Sequence, residues 1–117
     1  MELTKEILED IFQITRQVSK NNMTLTEGKN ELVRLYGINP NSATMSIRSL
    51  RHMINGERYR RALTIDATDY FLARIKKEDG ESALKVALAG LSAHIDYRTL
   101  TGVLVPGLQS VLAKHSS

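Results

Sequence analysis

Cysteine and tryptophan are absent from this 117-residue sequence, and proline occurs only twice. Without cysteine there is neither a disulfide framework nor a thiolate metal site. No apolar run approaches the roughly 18 residues that a bilayer-spanning helix needs. The N-terminal stretch MELTKEILEDIF is acidic and amphipathic, unlike a signal peptide. A soluble, cytoplasmic protein with no membrane partner is therefore expected. There is no Gly-rich phosphate loop and no nucleophile elbow. The three histidines, His52, His94 and His115, are widely separated, and none forms a His-x-x-x-His pair. No metal and no other cofactor is expected, and no catalytic constellation is recognisable. By itself the chain is not expected to be an enzyme.

What is present is ordinary globular composition, 42% hydrophobic and 25% charged, which argues against wholesale disorder. The length suits one domain with one core. Net charge is +3, but it is unevenly placed. Residues 1–31 carry four basic and six acidic side chains, and residues 63–117 carry six of each. Residues 32–62 carry six basic side chains and one acidic, a local excess of five positive charges. A binding face concentrates charge in this way.

Hydrophobic periodicity is helical nearly throughout. Leu3, Ile7, Ile11, Ile14 and Val18 recur at about 3.6 residues and predict a first helix that Asn21-Asn22 ends. Thr24 and Glu27 have the spacing of a capping box for a second helix, with Leu32, Val33, Leu35 and Tyr36, stopped by Gly37. Asn39-Pro40 opens a third, whose buried row is Ala43, Ile47, Leu50 and Ile54 and whose end is Asn55-Gly56. Residues 57–63 read as a loop. A fourth helix starts near Thr64, with Ala67, Phe71 and Ile75 inward, and ends at Gly80. Leu84, Ala87, Leu88, Leu91 and Ile95 mark a fifth, with His94-Ile95-Asp96-Tyr97 as its capped end. Pro106 starts a short sixth with Leu108, Val111 and Leu112. Thr99 to Val105 is the one β-rich patch. The expected fold is all-α, a single compact domain (1–117) of five to six short helices.

Glu31 to Leu50 resembles a helix-turn-helix. Gly37 sits in the turn, Val33 lies four residues before it and Ala43 six after it. Pro40 makes the turn slightly long, and a plain helical corner has the same glycine and the same apolar spacing, so both readings stand. The arginine cluster is the stronger signal. Outside the apolar row the third helix carries Ser42, Thr44, Ser46, Arg48, Ser49, Arg51 and His52. Arg58-Tyr59-Arg60-Arg61 then forms a compact basic loop, in which Tyr59 has two readings, stacking on a base or covering the core. Guanidinium and hydroxyl groups bond phosphate oxygens and base edges. Arg48, Arg51, Arg58, Arg60 and Arg61 are expected to neutralise phosphates, beside His52 and Tyr59. Ser42, Thr44 and Ser46 are expected closest to the groove if the helix reads bases. The competing reading is a solvated face with ion pairs inside the chain, for which Glu57 is the one local acid.

A wider pattern is similar to a known family. Its carriers are Tyr36-Gly37-Ile38-Asn39, Ser42-Ala43, His52-Met53-Ile54-Asn55-Gly56, Tyr59-x-Arg61, Tyr70-Phe71-Leu72-x-x-Ile75, Gly80, and Leu84-x-x-Ala87-Leu88 through His94-Ile95-x-Tyr97. Together they resemble the small helical N-terminal domain of some bacterial HNH-type restriction endonucleases, over about two thirds of the chain (30–97). The resemblance implies a module that precedes a nuclease and helps engage DNA; it carries over no catalytic residue, because nothing here matches the His-Asn-His core. The expected function is therefore nucleic-acid binding, to double-stranded DNA, as an accessory or targeting domain of a restriction or defence endonuclease. The expected partners are duplex DNA and a nuclease domain or subunit. The alternative is a protein-interaction or dimerisation module (a homodimer among the options), or a phage-type inhibitor, using the same basic face.

Overall fold

The computed structural model describes residues 3–117, and within them every regular element is an α-helix. The acidic start of the chain at positions 1 and 2 lies outside the described residues. The helices are α1 (Lys5–Ser19), α2 (Leu25–Tyr36), α3 (Pro40–Ile54), α4 (Ile65–Leu100) and α5 (Pro106–His115). They group into two compact units, one running to Arg51 and the other spanning His52–Ser117.

In the first unit, α1 begins where Thr4 Oγ1 accepts from the Ile7 N–H at 3.3 Å. It buries Ile7, Leu8, Ile11, Phe12, Ile14, Thr15 and Val18, the expected row widened on one side by Leu8, Phe12 and Thr15, while Leu3 is only half-buried. The buried Thr15 hydroxyl is satisfied by donating to the Ile11 carbonyl at 2.7 Å. The expected capping box at α2 is present: the Glu27 N–H donates to Thr24 Oγ1, and the Thr24 N–H donates to the Glu27 carboxylate. Only Gly28 and Leu32 of α2 are buried. Gly28 is a contact point, since a Cβ there would lie 2.8 Å from Ile14 Cγ2 and 3.3 Å from Ile47 Cδ1. Gly37 closes α2 in the left-handed conformation at φ 65°, as its sequence position suggested. Asn39 Oδ1 accepts from the N–H groups of Asn41 and Ser42 and so caps α3. The Tyr36 hydroxyl donates to the Asp10 carboxylate, tying the end of α2 to α1. That bond, reinforced by burial, pushes the Tyr36 phenol up to about 12.

In the second unit, Thr64 Oγ1 caps α4 by accepting from the Ala67 N–H. α4 is broken at Gly80, whose φ of 90° and ψ of −177° are not helical. The expected boundary between a fourth and a fifth helix is therefore present as a break between two arms. The C-terminal arm runs further than expected, through Leu100 to a cap at Thr101. His94 to Tyr97 is thus helix interior and not a capped end. Nothing in Asp96-Tyr97-Arg98 breaks a helix, and the chain turns only at Gly102, with φ 84°. Thr99 to Val105 forms no strand. α5 lies on α4 through Leu108 and Val111, with Gly107 against Ile65 and with Lys114 and His115 both reaching the Asp69 carboxylate, at 2.9 and 2.7 Å. Hydrogen bonds from His115, then Lys114, hold the Asp69 carboxyl below its usual range.

Candidate nucleic-acid interface

Helical geometry sorts the nominated α3 side chains into two groups. At 3.6 residues per turn, Thr44, Arg48 and Arg51 fall on one stripe. The stripe one residue earlier, about 100° round the helix, holds Ala43, Ile47 and Leu50, at most 1% exposed. Arg48 and Arg51 are exposed and have no carboxylate partner among the described residues. Ser42 and Ser46 do not share this stripe. With Ile11, Ile38, Ala43, Asn39 and Leu3 they line a cavity of about 290 Å³. Ser49, expected outside the apolar row, is buried. The reason is angular: Ser42, Ser46 and Ser49 sit more than a quarter-turn from the arginines, toward the packed side. Met53 at 0% exposure takes the place in the buried row expected of Ile54, which is only half-buried.

His52 lies across from Glu57, with Nδ1 3.3 Å from the carboxylate, so the one local acid is directed at the histidine and not at the arginines. The loop after α3 is built by alternation. Residues 57–59 have no regular secondary structure and residues 60 and 61 form a bend, yet burial alternates along the stretch. Arg58 and Arg60 point outward and are exposed, whereas Tyr59 points inward at 3% exposure. This overturns the expectation that Tyr59 contacts nucleic acid: its ring stacks on His94, centroids 4.2 Å apart and 6° from parallel, and its hydroxyl approaches the Met53 sulfur at 3.7 Å. Burial pushes its phenol well above the ordinary value. His94 Nδ1 lies 2.6 Å from the Tyr59 carbonyl oxygen. A carbonyl only accepts, so Nδ1 carries the proton.

Sequence reasoning missed the helix face on which this loop rests. Val86, Gly90, His94 and Tyr97 succeed one another at four, four and three residues, one face of α4. A Cβ at Gly56 would lie 3.0 Å from Val86 Cγ1, and one at Gly90 would lie 2.9 Å from the Met53 backbone and 3.3 Å from the Glu57 carbonyl. Tyr59 covers His94. Arg58 and Arg60 then both approach the Tyr97 ring, their guanidinium carbons 5.2 and 6.0 Å from its centroid. Neither has a carboxylate partner among the described residues. Arg61 is exposed as well and takes part in an interaction of its own. The available signal was the pairing of His94 and Tyr97 at i, i+3 with the inward and outward alternation of residues 58–60.

Among the described residues no three His, Asp or Glu side chains come together as a metal site, and no helix is long and apolar enough to cross a membrane. Comparison of the chain with protein-family models, with curated proteins and with solved structures finds no match.

Proposed function

We propose that the protein binds nucleic acid, double-stranded DNA in particular, through arginines that contact the phosphate backbone. One observation carries this reading: Arg48, Arg51, Arg58 and Arg60 are exposed, lie on ordered supports, and lack carboxylate partners among the described residues. Unpaired guanidiniums on a surface are ready donors for phosphate oxygens, and binding them releases counterions. Each unit brings its own pair, Arg48 with Arg51 on α3 and Arg58 with Arg60 on the loop. Thr44 shares the stripe of Arg48 and Arg51, so this reading assigns base contact to its hydroxyl and not to Ser42 or Ser46. A role as accessory or targeting module of a restriction or other defence endonuclease rests on the resemblance of residues 30–97 alone.

The test is affinity for fluorescent duplexes across a salt series. Four phosphate contacts set the slope of log K against log salt at about −2 to −4. A flat response, or no binding at low salt, removes the reading. A protein-interaction module is the second reading, favoured by Leu100 and Leu104, which are 86% and 83% exposed. Light scattering decides that point: self-association abolished by Leu104→Ser supports it.

A further inference from the structure

We infer that Arg58 and Arg60 act together as a two-pronged clamp for one phosphate group, and that Tyr97 is the positioning residue that holds both prongs. The inference rests on the proposed nucleic-acid reading for the source of the phosphate, though not for the clamp itself.

On either side of the buried Tyr59, the two arginines are both exposed and both reach the Tyr97 ring. Between them Tyr59 is held three ways: its buried ring stacks on His94 of α4, its carbonyl accepts from His94 Nδ1, and its hydroxyl approaches the sulfur of Met53 on α3. The backbone from which both guanidiniums spring is therefore immobilised. One turn on from His94, Tyr97 offers a half-buried ring that both guanidiniums approach. A guanidinium stacked on an aromatic face keeps its N–H edge free to donate to an oxyanion. Bringing two cations to one ring with no acid between them is unfavourable for the protein alone. A phosphate oxyanion between the two edges relieves that repulsion and satisfies the donors. Arginines left to solvent would each lose rotamer freedom on binding; these have lost much of it already.

The experiment follows the Arg58 and Arg60 side-chain Nε–Hε resonances while the whole protein is titrated with inorganic pyrophosphate. Both are expected to shift together along one binding curve. Tyr97→Phe keeps the ring and is expected to keep that curve. Tyr97→Leu is expected to weaken binding roughly 5- to 30-fold, the scale of two exposed cation–π contacts, with unchanged melting. In parallel, duplex affinity is measured for Tyr97→Leu in the wild-type and the Arg58→Ala/Arg60→Ala backgrounds. The loss is expected only where the arginines are present. Separate curves for the two arginines, or an equal loss without them, overturns the clamp. If pyrophosphate engages the pair and duplex DNA does not, the clamp stands and the nucleic-acid reading falls. If duplex binds while the pair stays unmoved by pyrophosphate, the clamp falls and the broader reading stands.

Discussion

His94 shows how one buried side chain can set the acid limit of a fold. It is 0% exposed, its Nδ1–H is committed to the Tyr59 carbonyl, and its Nε2 has no hydrogen-bond partner among the described residues. Burial, with the charge of Arg98 adding to it, lowers its pKa; the bond to Tyr59 offsets part of this. The folded chain therefore resists the proton that the unfolded chain accepts near pH 6.5. Stability from this group is complete above about pH 6.5 and is lost as pH falls through that value toward the folded pKa. Melting temperatures should fall between pH 7 and 5, and His94→Phe should flatten that fall while keeping a ring against Tyr59. A wild-type melt that stays level over this range contradicts the account. The Asp69 pair acts in a lower window, since a depressed carboxyl gives its stability up only as pH drops below the ordinary carboxylate range. None of this could be read from the sequence, where His94 looks like any histidine near a helix end. Its environment comes from residue 59, which lies 35 positions away.

Glycines place the breaks and close approaches of the helices, for different reasons. Gly80 has φ 90° and ψ −177°, and nothing lies within 4 Å of where its Cβ would be. An alanine there meets no obstacle, only a backbone region that is nearly closed to side chains. Gly80→Ala should cost about 1–3 kcal/mol. Gly90 is an ordinary helical residue, but its Cβ would lie 2.9 Å from both the Cα and the carbonyl oxygen of Met53. Backbone cannot swing aside as a side-chain tip can, so Gly90→Ala should cost at least as much, on the order of the 1–3 kcal/mol typical of overpacking. Thermal melts of the two variants test both; a neutral Gly90→Ala would mean that α4 stands further from Met53 than the structure places it. Capping signals made the starts of α2, α3 and α4 legible in advance: Thr24 with Glu27, Asn39 with Pro40, and Thr64. The end of α4 was not legible, because Asp96-Tyr97-Arg98 is as compatible with helix as with a cap, and only the turn at Gly102 decides it.

For the whole molecule, core and charge are separable. Ile47 is 0% exposed, and Ile47→Asp would bury an unpaired carboxylate; the cost of several kcal/mol should unfold a domain whose total stability is typically about 5–15. Arg48 and Arg51 are exposed, so Arg48→Ala and Arg51→Ala should each change stability by less than about 1 kcal/mol. Each should also make the salt slope of duplex binding shallower by roughly one unit. If the arginine variants instead melt far lower, those side chains hold the fold and the binding face lies elsewhere. The local excess of charge was visible in the sequence as six basic residues against one acidic over 32–62. Which of its neighbours face outward was not. Ser46 and Ser49 are polar residues on the packed side of α3, and Tyr59 is an aromatic residue inside a basic loop. Composition alone assigns the two serines to the surface and leaves Tyr59 open between surface and core.

The alternation of residues 58 to 60 makes that stretch a matter of parity. Gly56 is pinned at Val86 and Tyr59 at His94, and the number of residues between the pins decides which side chains end up indoors. Replacing Arg58 or Arg60 changes how strongly the surface is charged and leaves the inside untouched. Adding or removing one residue between the pins swaps odd for even: a guanidinium is driven at the imidazole, and the phenol is turned out to water. The segment can therefore tolerate many spellings but only one length.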